Sequence, residues 1–488
     1  MAFTAKPFGL TLAAAAAVEL LSFTAFYQPV IGTVGCLLLI AAALIASLRR
    51  LEYGLYFVLG ELFIGSQGHL LEAQLGDTNI SLRIGLFIAV LAAWLWHRLK
   101  AKKAAVPQSP VWYCYLALGA FILIGLARGL IANDFGNVFF DFNAWIYFGL
   151  VVAFFDVAGP KFLERMIQIL LATTAWVAAK TVVVLLLFSH SLATIGGPLY
   201  QWLRDTRTGE VTFVSGTIFR IFFQSQLYVL IGYFIVAALL IHGWPQLSKQ
   251  NRWLGLGYLY LTGVALVISQ SRSFWVGSAA AIATLLVLLL WRLKFSLRKT
   301  VLIGLLFGVS VASAVLTVQL ITGNVLGNIV GNRFNDLPRE AAGISRLNQL
   351  QPLTKNIAAR PLLGYGFGKT LTYQSSDPRV LETHPDGRYT TYAFEWGYLD
   401  IALKIGLLGL SAYLTLIGYI IYKLNQKLKI KNQNDNVKFK MDLELGFLAG
   451  LIALLITNIF SPYLNHPLGI GYLMLASTLI AKNHDAAA

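Results

Sequence analysis

Three arginines beside apolar segments are the residues best suited to chemistry on a charged group. Arg220 lies within FRIFF, Arg272 lies within the short segment SQSRSFWVG, and Arg346 begins a polar stretch that leads to PLLGYG. An arginine presents a planar fork of N–H donors that matches two oxygens of a phosphate. We therefore predict that these three arginines bind a phosphate-bearing ligand. The alternative is that each one only anchors the chain at a membrane interface.

Two side chains near the third arginine could remove a proton from a hydroxyl group. Glu395 begins an apolar segment, and His384 lies in the polar loop before it. A carboxylate or an imidazole within hydrogen-bond reach of a hydroxyl can act as a general base. We predict that Glu395 is the base and that His384 is the second candidate. The alternatives are that Glu395 caps a helix or pairs with an arginine, and that His384 is merely solvated.

Aromatic residues accompany these candidates. Tyr365, Tyr392 and Trp396 would suit a platform for a saccharide, because an aromatic ring combines an apolar face with a polar edge. The alternative is an aromatic belt at a membrane interface. Metal ligands are not indicated, since Cys36 and Cys114 lie alone in apolar runs and the outer loops contain no Asp-x-Asp pair. We therefore predict neither a metal nor a cofactor.

The composition indicates which elements must position these residues. The chain has 488 residues, of which 57% are hydrophobic and 12% are charged. These values exclude an ordinary soluble domain and predict a polytopic membrane protein. The net charge of +16 would suggest nucleic acid for a soluble protein, but in a membrane protein it first sets topology. We expect no nucleic-acid partner.

The Ala-rich start resembles a signal peptide, yet Glu19 interrupts it, which favours a retained first span.

Apolar windows of roughly 17 to 25 residues predict about fourteen membrane-spanning helices. We therefore predict an all-α, polytopic integral membrane protein with one large outer loop that contains short surface helices. Its predicted parts are an N-terminal transmembrane bundle at 1–320, the outer loop at 321–392 and C-terminal transmembrane helices at 393–488. The predicted spans lie near 9–27, 29–48, 51–66, 81–97, 111–130, 140–157, 164–188, 222–242, 253–269, 274–291, 300–320, 393–422, 441–460 and 465–481.

The two kinds of cation separate between the predicted sides of the membrane. Lysines predominate in loops such as HRLKAKK, which we place in the cytoplasm, whereas arginines predominate in the outer loops. A transporter would instead carry charges deep in several spans, and this chain has few, chiefly Glu19, Glu61, Lys180 and Lys404. The pattern therefore favours a site at the outer surface.

The predicted outer loop contains a candidate surface helix. Apolar residues recur at helical spacing from Arg346, whereas residues such as Gln349 should face away from them. Pro352 should bend this helix and Pro361 should end it. Gly364, Gly366 and Gly368 would then allow the backbone to pass close to other elements or to a ligand.

At these residues the chain resembles the O-antigen ligase and polysaccharide polymerase superfamily. The resemblance rests on Ser345–Arg346, on PLLGYG at 361–366 and on GLLGL at 406–410. SQSRSFWVG resembles the family's short Ser-Arg turn, and Arg220 lies where a further family arginine is expected. The likeness covers roughly the C-terminal half, and the N-terminal half matches only in its pattern of spans.

The resemblance implies a bacterial inner-membrane glycosyltransferase of the GT-C type, with its site facing the periplasm or exterior. The implied partners are a polyprenyl-pyrophosphate-linked oligosaccharide, the lipid bilayer and a chain-length regulator or other polysaccharide-assembly proteins. The family's arginines hold the pyrophosphate, and a His-Asn pair lies eleven residues before the GLLGL-like element. This chain has Glu395–Trp396 there, which favours a polymerase over a ligase. A lipid-linked oligosaccharide flippase or other transporter is the alternative of another class.

Overall fold

Long apolar helices joined by short turns make up most of the computed structural model. Of the residues that the structure describes, 78% are helical and few lie in strands. The structure describes residues 6–76, 78–101, 109–324, 341–428 and 435–481. Residues 325–340 of the predicted outer loop, and residues 429–434 between two of the C-terminal helices, lie outside the described residues.

The helices follow the apolar runs of the sequence. Their bounds are α1 Lys6–Tyr27, α2 Pro29–Arg49, α3 Leu51–Ile64, α4 Leu82–Ala101, α5 Pro110–Ala132, α6 Phe135–Phe142, α7 Val151–Val157, α8 Pro160–Ser189, α9 Ala193–Asp205, α10 Gln226–Gly243, α11 Lys249–Ile268, α12 Arg272–Trp291, α13 Leu297–Thr322, α14 Ala341–Ala359, α15 Pro378–Thr383, α16 Gly397–Lys427, α17 Asp435–Phe460 and α18 Pro467–Ile480. Short 3₁₀ helices cover Trp145–Leu150 and Trp244–Gln246.

The predicted number of membrane-spanning helices is not confirmed by the described part of the chain. Each of the fourteen predicted spans is helical, but within the described residues only 10 helices are long and apolar enough to cross a membrane. The count is 11 if α6 and the following Trp145–Val157 segment, bent by 43°, form one span. Helices α3 and α18 have 14 residues each, about 21 Å of helix, whereas the hydrocarbon core is about 30 Å thick. Fourteen complete spans are therefore not confirmed.

Three small antiparallel sheets interrupt the helical pattern that we predicted as all-α. Each is a two-stranded hairpin, and the pairs are β1 Glu72–Leu75 with β2 Thr78–Ser81, β3 Glu210–Ser215 with β4 Ile218–Phe222, and β5 Leu371–Gln374 with β6 Arg388–Thr391. Alternating β-branched and aromatic residues explain the strands in VTFVS and IFRIF.

The three hairpins lie at the same end of the helix bundle, which we call the hairpin end. If the long apolar helices that follow one another along the chain alternate in direction, every second connection between them returns to this end. Direct contacts support the assignment, because the Ser66 hydroxyl donates to the Thr208 carbonyl at 2.6 Å. The Asn324 amide donates to the Thr217 hydroxyl at 2.5 Å. The hairpin end therefore collects β1–β6 and residues 341–396.

The charges predicted to lie deep in the spans form ion pairs. Lys180 Nζ lies 2.5 Å from Glu19 Oε1, which joins α8 to α1. The Arg83 guanidinium binds both carboxylate oxygens of Glu61 at 2.9 and 3.0 Å, which joins α4 to α3. A buried charge is tolerated when a partner compensates its lost hydration. These pairs therefore fasten neighbouring helices together.

Helix α16 is broken at Gly406, where φ is 74° and ψ is 176°. The break leaves carbonyl and N–H groups of α16 without helical partners, and the PLLGYG segment supplies replacements. The Leu407 N–H donates to the Pro361 carbonyl at 2.7 Å, and the Tyr365 N–H donates to the Leu403 carbonyl at 2.8 Å. The two sequence motifs that carry the family resemblance are thus bound to each other through their backbones.

The glycines of PLLGYGFG are required by close packing with α5 and α16. A Cβ on Gly366 would lie 2.3 Å from the Gly129 nitrogen, and one on Gly364 would lie 2.5 Å from the Leu403 carbonyl oxygen. Both glycines have positive φ angles, of 86° and 62°. These glycines were predicted to allow close approach to other elements or to a ligand, and the contacts found here are with other elements.

Helix α14 differs from its prediction in extent and in orientation. It begins at Ala341, continues through Pro352 and ends at Ala359, before Pro361. The prediction for Gln349 was wrong, because this side chain is only 2% exposed. Its amide oxygen accepts a hydrogen bond from the Glu395 N–H at 3.1 Å. A tertiary contact, which spacing along one helix does not reveal, turns this polar residue inward.

Candidate functional site

The first candidate arginine, Arg272, begins α12 directly after the tight turn from α11. Gln270 in this turn has a φ of 45°, a left-handed conformation that is uncommon outside glycine. Ser269 and Ser271 are buried, and the Ser269 hydroxyl donates to the Leu266 carbonyl at 2.7 Å. The Ser269 hydroxyl therefore stabilises the turn itself. This turn holds Arg272 on a rigid element.

Arg220 lies in β4, not on a helix, and its side chain reaches the Arg272 turn. Its Nε donates to the Ser269 carbonyl at 3.1 Å, and Nη1 lies 3.4 Å from Glu210 Oε2. The guanidinium also lies 4.6 Å from the Phe222 ring centroid, within range of a cation–π interaction. The β3–β4 hairpin and the α11–α12 turn are thus joined through an arginine.

Arg346 lies on α14, where it contacts the segment that precedes α16. Its Nε forms an ion pair with Glu395 Oε2. The Trp396 indole N–H donates to the Arg346 carbonyl at 2.8 Å. Arg346 and Glu395 remain partly exposed, with side-chain exposures of 35% and 44%. The pair is therefore accessible from the hairpin end.

The two arginine-bearing regions meet at the end of α17. On the Arg272 side, the Ser273 and Ser461 hydroxyls lie 3.2 Å apart. On the Arg346 side, the Trp396 and Phe460 ring centroids lie 5.8 Å apart. Phe460 and Ser461 are consecutive, so one short stretch of chain contacts the neighbours of both arginines.

His384, the second candidate for the base, lies in the connection between β5 and β6 and is exposed. Its Nδ1 is 2.9 Å from the Thr383 hydroxyl, and its ring centroid lies 6.0 Å from that of Tyr389. Glu395, by contrast, is bonded directly to Arg346. Of the two candidate bases, Glu395 is thus the one in contact with an arginine that is predicted to bind phosphate.

The three candidate saccharide platforms have different surroundings. The Tyr365 ring lies 4.7 Å from the Arg360 guanidinium and 5.0 Å from the Lys369 ammonium group. Tyr365 and Trp396 also pack against a small core formed by Leu353, Leu371, Phe394 and Leu403. Both rings therefore contribute to packing in addition to any ligand contact.

Tyr392 lies in a polar part of the hairpin end. Burial raises the pKa of its phenol, the charge of Asp141 raises it further, and the charges of Lys404 and Arg207 oppose that rise. The phenol thus lies within electrostatic range of groups from both the N-terminal and the C-terminal parts of the bundle.

A buried ionic network beneath the hairpin end was not predicted from the sequence. Lys404 Nζ lies 2.5 Å from Asp141 and 2.8 Å from Asp400, and Asn465 also donates to Asp400. The Gly368 N–H donates to Asp141 at 2.8 Å, which anchors the end of PLLGYGFG. The spacing of Asp400 and Lys404 by four residues was a usable signal for a helical ion pair. Nothing local indicates Asp141.

The arrangement can neutralise an anion and deprotonate a neighbouring hydroxyl. Arginine donors on rigid elements stabilise negative charge without reorganisation, and a carboxylate beside them can accept a proton. Among the described residues, no group of three or more His, Cys, Asp or Glu side chains could hold a metal ion.

Comparison with known proteins gave one match to a protein family. Residues 257–414 match the family model described as O-antigen ligase. The match runs from α11 into α16, so it includes Arg272, Arg346 and Glu395 but not Arg220. No curated protein matches the chain. The protein is a multi-pass membrane protein, and the match of its residues 257–414 to the O-antigen ligase model is consistent with the O-antigen ligase and polymerase superfamily.

Proposed function

We propose that the protein is a bacterial inner-membrane glycosyltransferase that polymerises oligosaccharide repeat units carried on polyprenyl pyrophosphate. The product would be a surface polysaccharide such as an O-antigen or an exopolysaccharide. The main support is the common contact of the Arg272 and Arg346 regions with Phe460–Ser461 at the end of α17. The O-antigen ligase match over 257–414 supports the same class of enzyme.

In the proposed reaction, the acceptor hydroxyl oxygen attacks the anomeric carbon of the donor sugar. The bond from that carbon to the pyrophosphate oxygen breaks, and the polyprenyl pyrophosphate leaves with the electron pair. Arg220, Arg272 and Arg346 would stabilise the negative charge that remains on the pyrophosphate. Glu395 would accept the hydroxyl proton as the new glycosidic bond forms. Tyr365, Tyr392 and Trp396 would contact the sugars.

The Arg346–Glu395 ion pair has a definite role in this proposal. In the resting protein the two side chains neutralise each other. An arriving pyrophosphate would compete for the guanidinium and so release the carboxylate for proton transfer. Donor binding and activation of the base would thus be linked.

The site would face the outside of the membrane, where lipid-linked repeat units are joined. The basic segments HRLKA at 97–101 and WRLKFSLRK at 291–299 lie at the end of the bundle opposite the hairpin end. Positive loops remain preferentially in the cytoplasm, so this distribution supports an external hairpin end.

A ligase is the second candidate, because the matching family model is described as O-antigen ligase. A ligase would transfer the glycan to a lipid or protein acceptor and would not lengthen the lipid-linked chain. Glu395–Trp396, found where the resemblance leads us to expect a His-Asn pair, favours the polymerase.

The deciding experiment is mass spectrometry of the products formed by the purified protein from lipid-linked repeat units. A ladder of lengthened lipid-linked chains is expected, and an Arg272→Gln variant should give no ladder. Transfer of the glycan to another carrier would instead establish the ligase. Absence of any new glycosidic bond with the wild-type protein would refute both.

A further inference from the structure

A cavity of about 490 Å³ lies at the hairpin end, against the turn between α1 and α2. Its volume falls within the range of small-ligand sites, roughly 300 to 1,000 Å³. The wall residues with polar or aromatic side chains that bear on its chemistry are His69, Glu72, Gln74, Phe140, Asp205 and Arg207. Except for Arg207, whose charge acts on Tyr392, none of them has a part in the site described above.

His69 and Glu72 form a hydrogen-bonded pair on the cavity wall. His69 Nδ1 lies 2.5 Å from Glu72 Oε1, and their side chains are 38% and 33% exposed. The hydrogen bond from His69 lowers the pKa of the Glu72 carboxyl, so this group is ionised at neutral pH. With Nδ1 bonded to Glu72, the other ring nitrogen is left to bond a ligand.

Arg207 contributes a cation to the same wall. Its φ is 52°, a left-handed conformation that is uncommon for a residue with a side chain. Such conformations cost free energy, and they concentrate at ligand-binding and active sites. Within the described residues, no hydrogen bond or ion pair engages its guanidinium, although its charge acts on Glu72.

The mixture of groups indicates the class of ligand. Glu72 and Asp205 offer carboxylate acceptors, whereas Arg207 and Gln74 offer donors, and Phe140 adds an aromatic surface. A sugar ring both donates and accepts through its hydroxyls, and its C–H face packs on aromatic rings. Asp205 is paired with Arg204 at 2.6 Å, and Arg207 balances Glu72, so the wall has no net positive charge to attract a lipid phosphate. The lining therefore favours a saccharide over an anionic headgroup.

The cavity adjoins the candidate transfer site. Glu210, which lies 3.4 Å from Arg220, follows Arg207 by three residues. An extended chain spans at most about 3.3–3.6 Å per residue, so the backbones of Arg207 and Glu210 lie within about 11 Å. The charge of Arg207 also reaches Tyr392.

We propose that this cavity is a saccharide subsite in which His69, Glu72 and Arg207 hold a sugar of the glycan beside the transfer site. The proposal rests on the proposed function, since it assigns the cavity to the same glycan. The subsite differs from the arginines proposed to bind the pyrophosphate, because it recognises sugar hydroxyls.

Direct binding tests the subsite without any requirement for transfer. The probe is the repeat-unit oligosaccharide released by mild acid from the host's lipid-linked pool, titrated calorimetrically into the detergent-purified full-length protein. Arg207→Asn and Glu72→Gln should each raise Kd about tenfold, the effect of losing roughly 1.4 kcal/mol of binding free energy. Asparagine tolerates the left-handed conformation, so the first variant removes charge with little backbone strain.

Arg388→Asn is the matched control, because Arg388 is also exposed at the hairpin end but lies outside the cavity. It should bind the probe as the wild type does, and all variants should keep the wild-type elution profile. An unchanged Kd in both cavity variants would overturn the subsite, as would absence of probe binding to the wild type. So would a loss of affinity for phosphatidylglycerol in nanodiscs without a loss for the oligosaccharide.

Transfer kinetics supply the second readout and show whether the sugar in the cavity belongs to the acceptor or to the donor. A rise in KM for the acceptor alone, or for the donor alone, supports the subsite and identifies its occupant. Unchanged KM values for both substrates would contradict it. If the wild type binds the probe but forms no glycosidic bond, the proposed function fails while the subsite stands.

Discussion

Arg346 on α14 forms an ion pair with Glu395, 49 residues later in the chain, and the two groups come from the segments that flank the β5–β6 hairpin. A candidate phosphate-binding residue and a candidate general base are therefore in contact before any substrate binds. The contribution of each residue to the transfer rate can therefore be measured in the two single variants and in the double variant.

Glu395→Gln should lower kcat about 100-fold, because a positioned general base contributes roughly 10²- to 10⁴-fold. His384→Gln should leave kcat within about twofold, since His384 contacts Thr383 and Tyr389 and not the ion pair. Initial rates with lipid-linked repeat units measure both. The reverse order of effects would assign the base to His384.

Arg272→Lys should reduce transfer roughly 10- to 100-fold although it preserves the charge. The lysine loses the planar fork that contacts two phosphate oxygens at once. Arg252→Lys is the matched control, because Arg252 lies near the opposite end of α11. Product yield at equal protein level in membranes is the measurement, and equal activity of the two variants would argue against a pyrophosphate contact at Arg272.

Gly406→Ala should destabilise the protein by about 2 kcal/mol or more. Gly406 has a positive φ of 74°, and an added Cβ would lie 2.1 Å from the Leu362 carbonyl oxygen. Gly418→Ala in the same helix meets nothing within 4 Å and should stabilise by up to about 1 kcal/mol. Thermal unfolding in detergent compares them. A Gly406→Ala protein as stable as the wild type would show that the break in α16 is dispensable.

Lys404→Met should cost about 3–5 kcal/mol of stability, because it leaves two buried carboxylates without their cation. Lys404 is only 2% exposed and lies 2.5 Å from Asp141 and 2.8 Å from Asp400. Adding Asp141→Asn and Asp400→Asn removes those charges and should restore much of the loss. Chemical unfolding of the single and triple variants distinguishes charge burial from simple loss of packing, since only charge burial predicts recovery.

Transfer should stay within about twofold of its starting rate after treatment with EDTA. In the proposed mechanism, Arg220, Arg272 and Arg346 stabilise the leaving pyrophosphate, which is the charge-stabilising role that a divalent cation would otherwise have. The assay is product formation before and after chelation, with magnesium restored as the control. Loss of activity that magnesium reverses would require a metal in the mechanism.

The positions of the helices and the class of the protein were determined by the sequence alone. Apolar runs are local features, and a segment in a membrane must satisfy its own backbone hydrogen bonds, so each predicted span is helical. Local signals also identified the glycines of PLLGYGFG, because positive φ and close approach restrict the residue type. The resemblance to the O-antigen ligase family was likewise recognised from short local motifs, and residues 257–414 match that family's model.

Only the tertiary structure decided which of these elements meet. The Asp141–Lys404 pair joins residues separated by 263 positions, and the cavity beside Arg207 is lined by residues of α1, α2, β1, α6 and α9 and of the loops before β1 and β3. Gln349 faces inward because Glu395 packs against it, a contact that helical spacing does not encode. Contacts between distant segments depend on how whole helices pack, and a local pattern of residues contains no information on that packing.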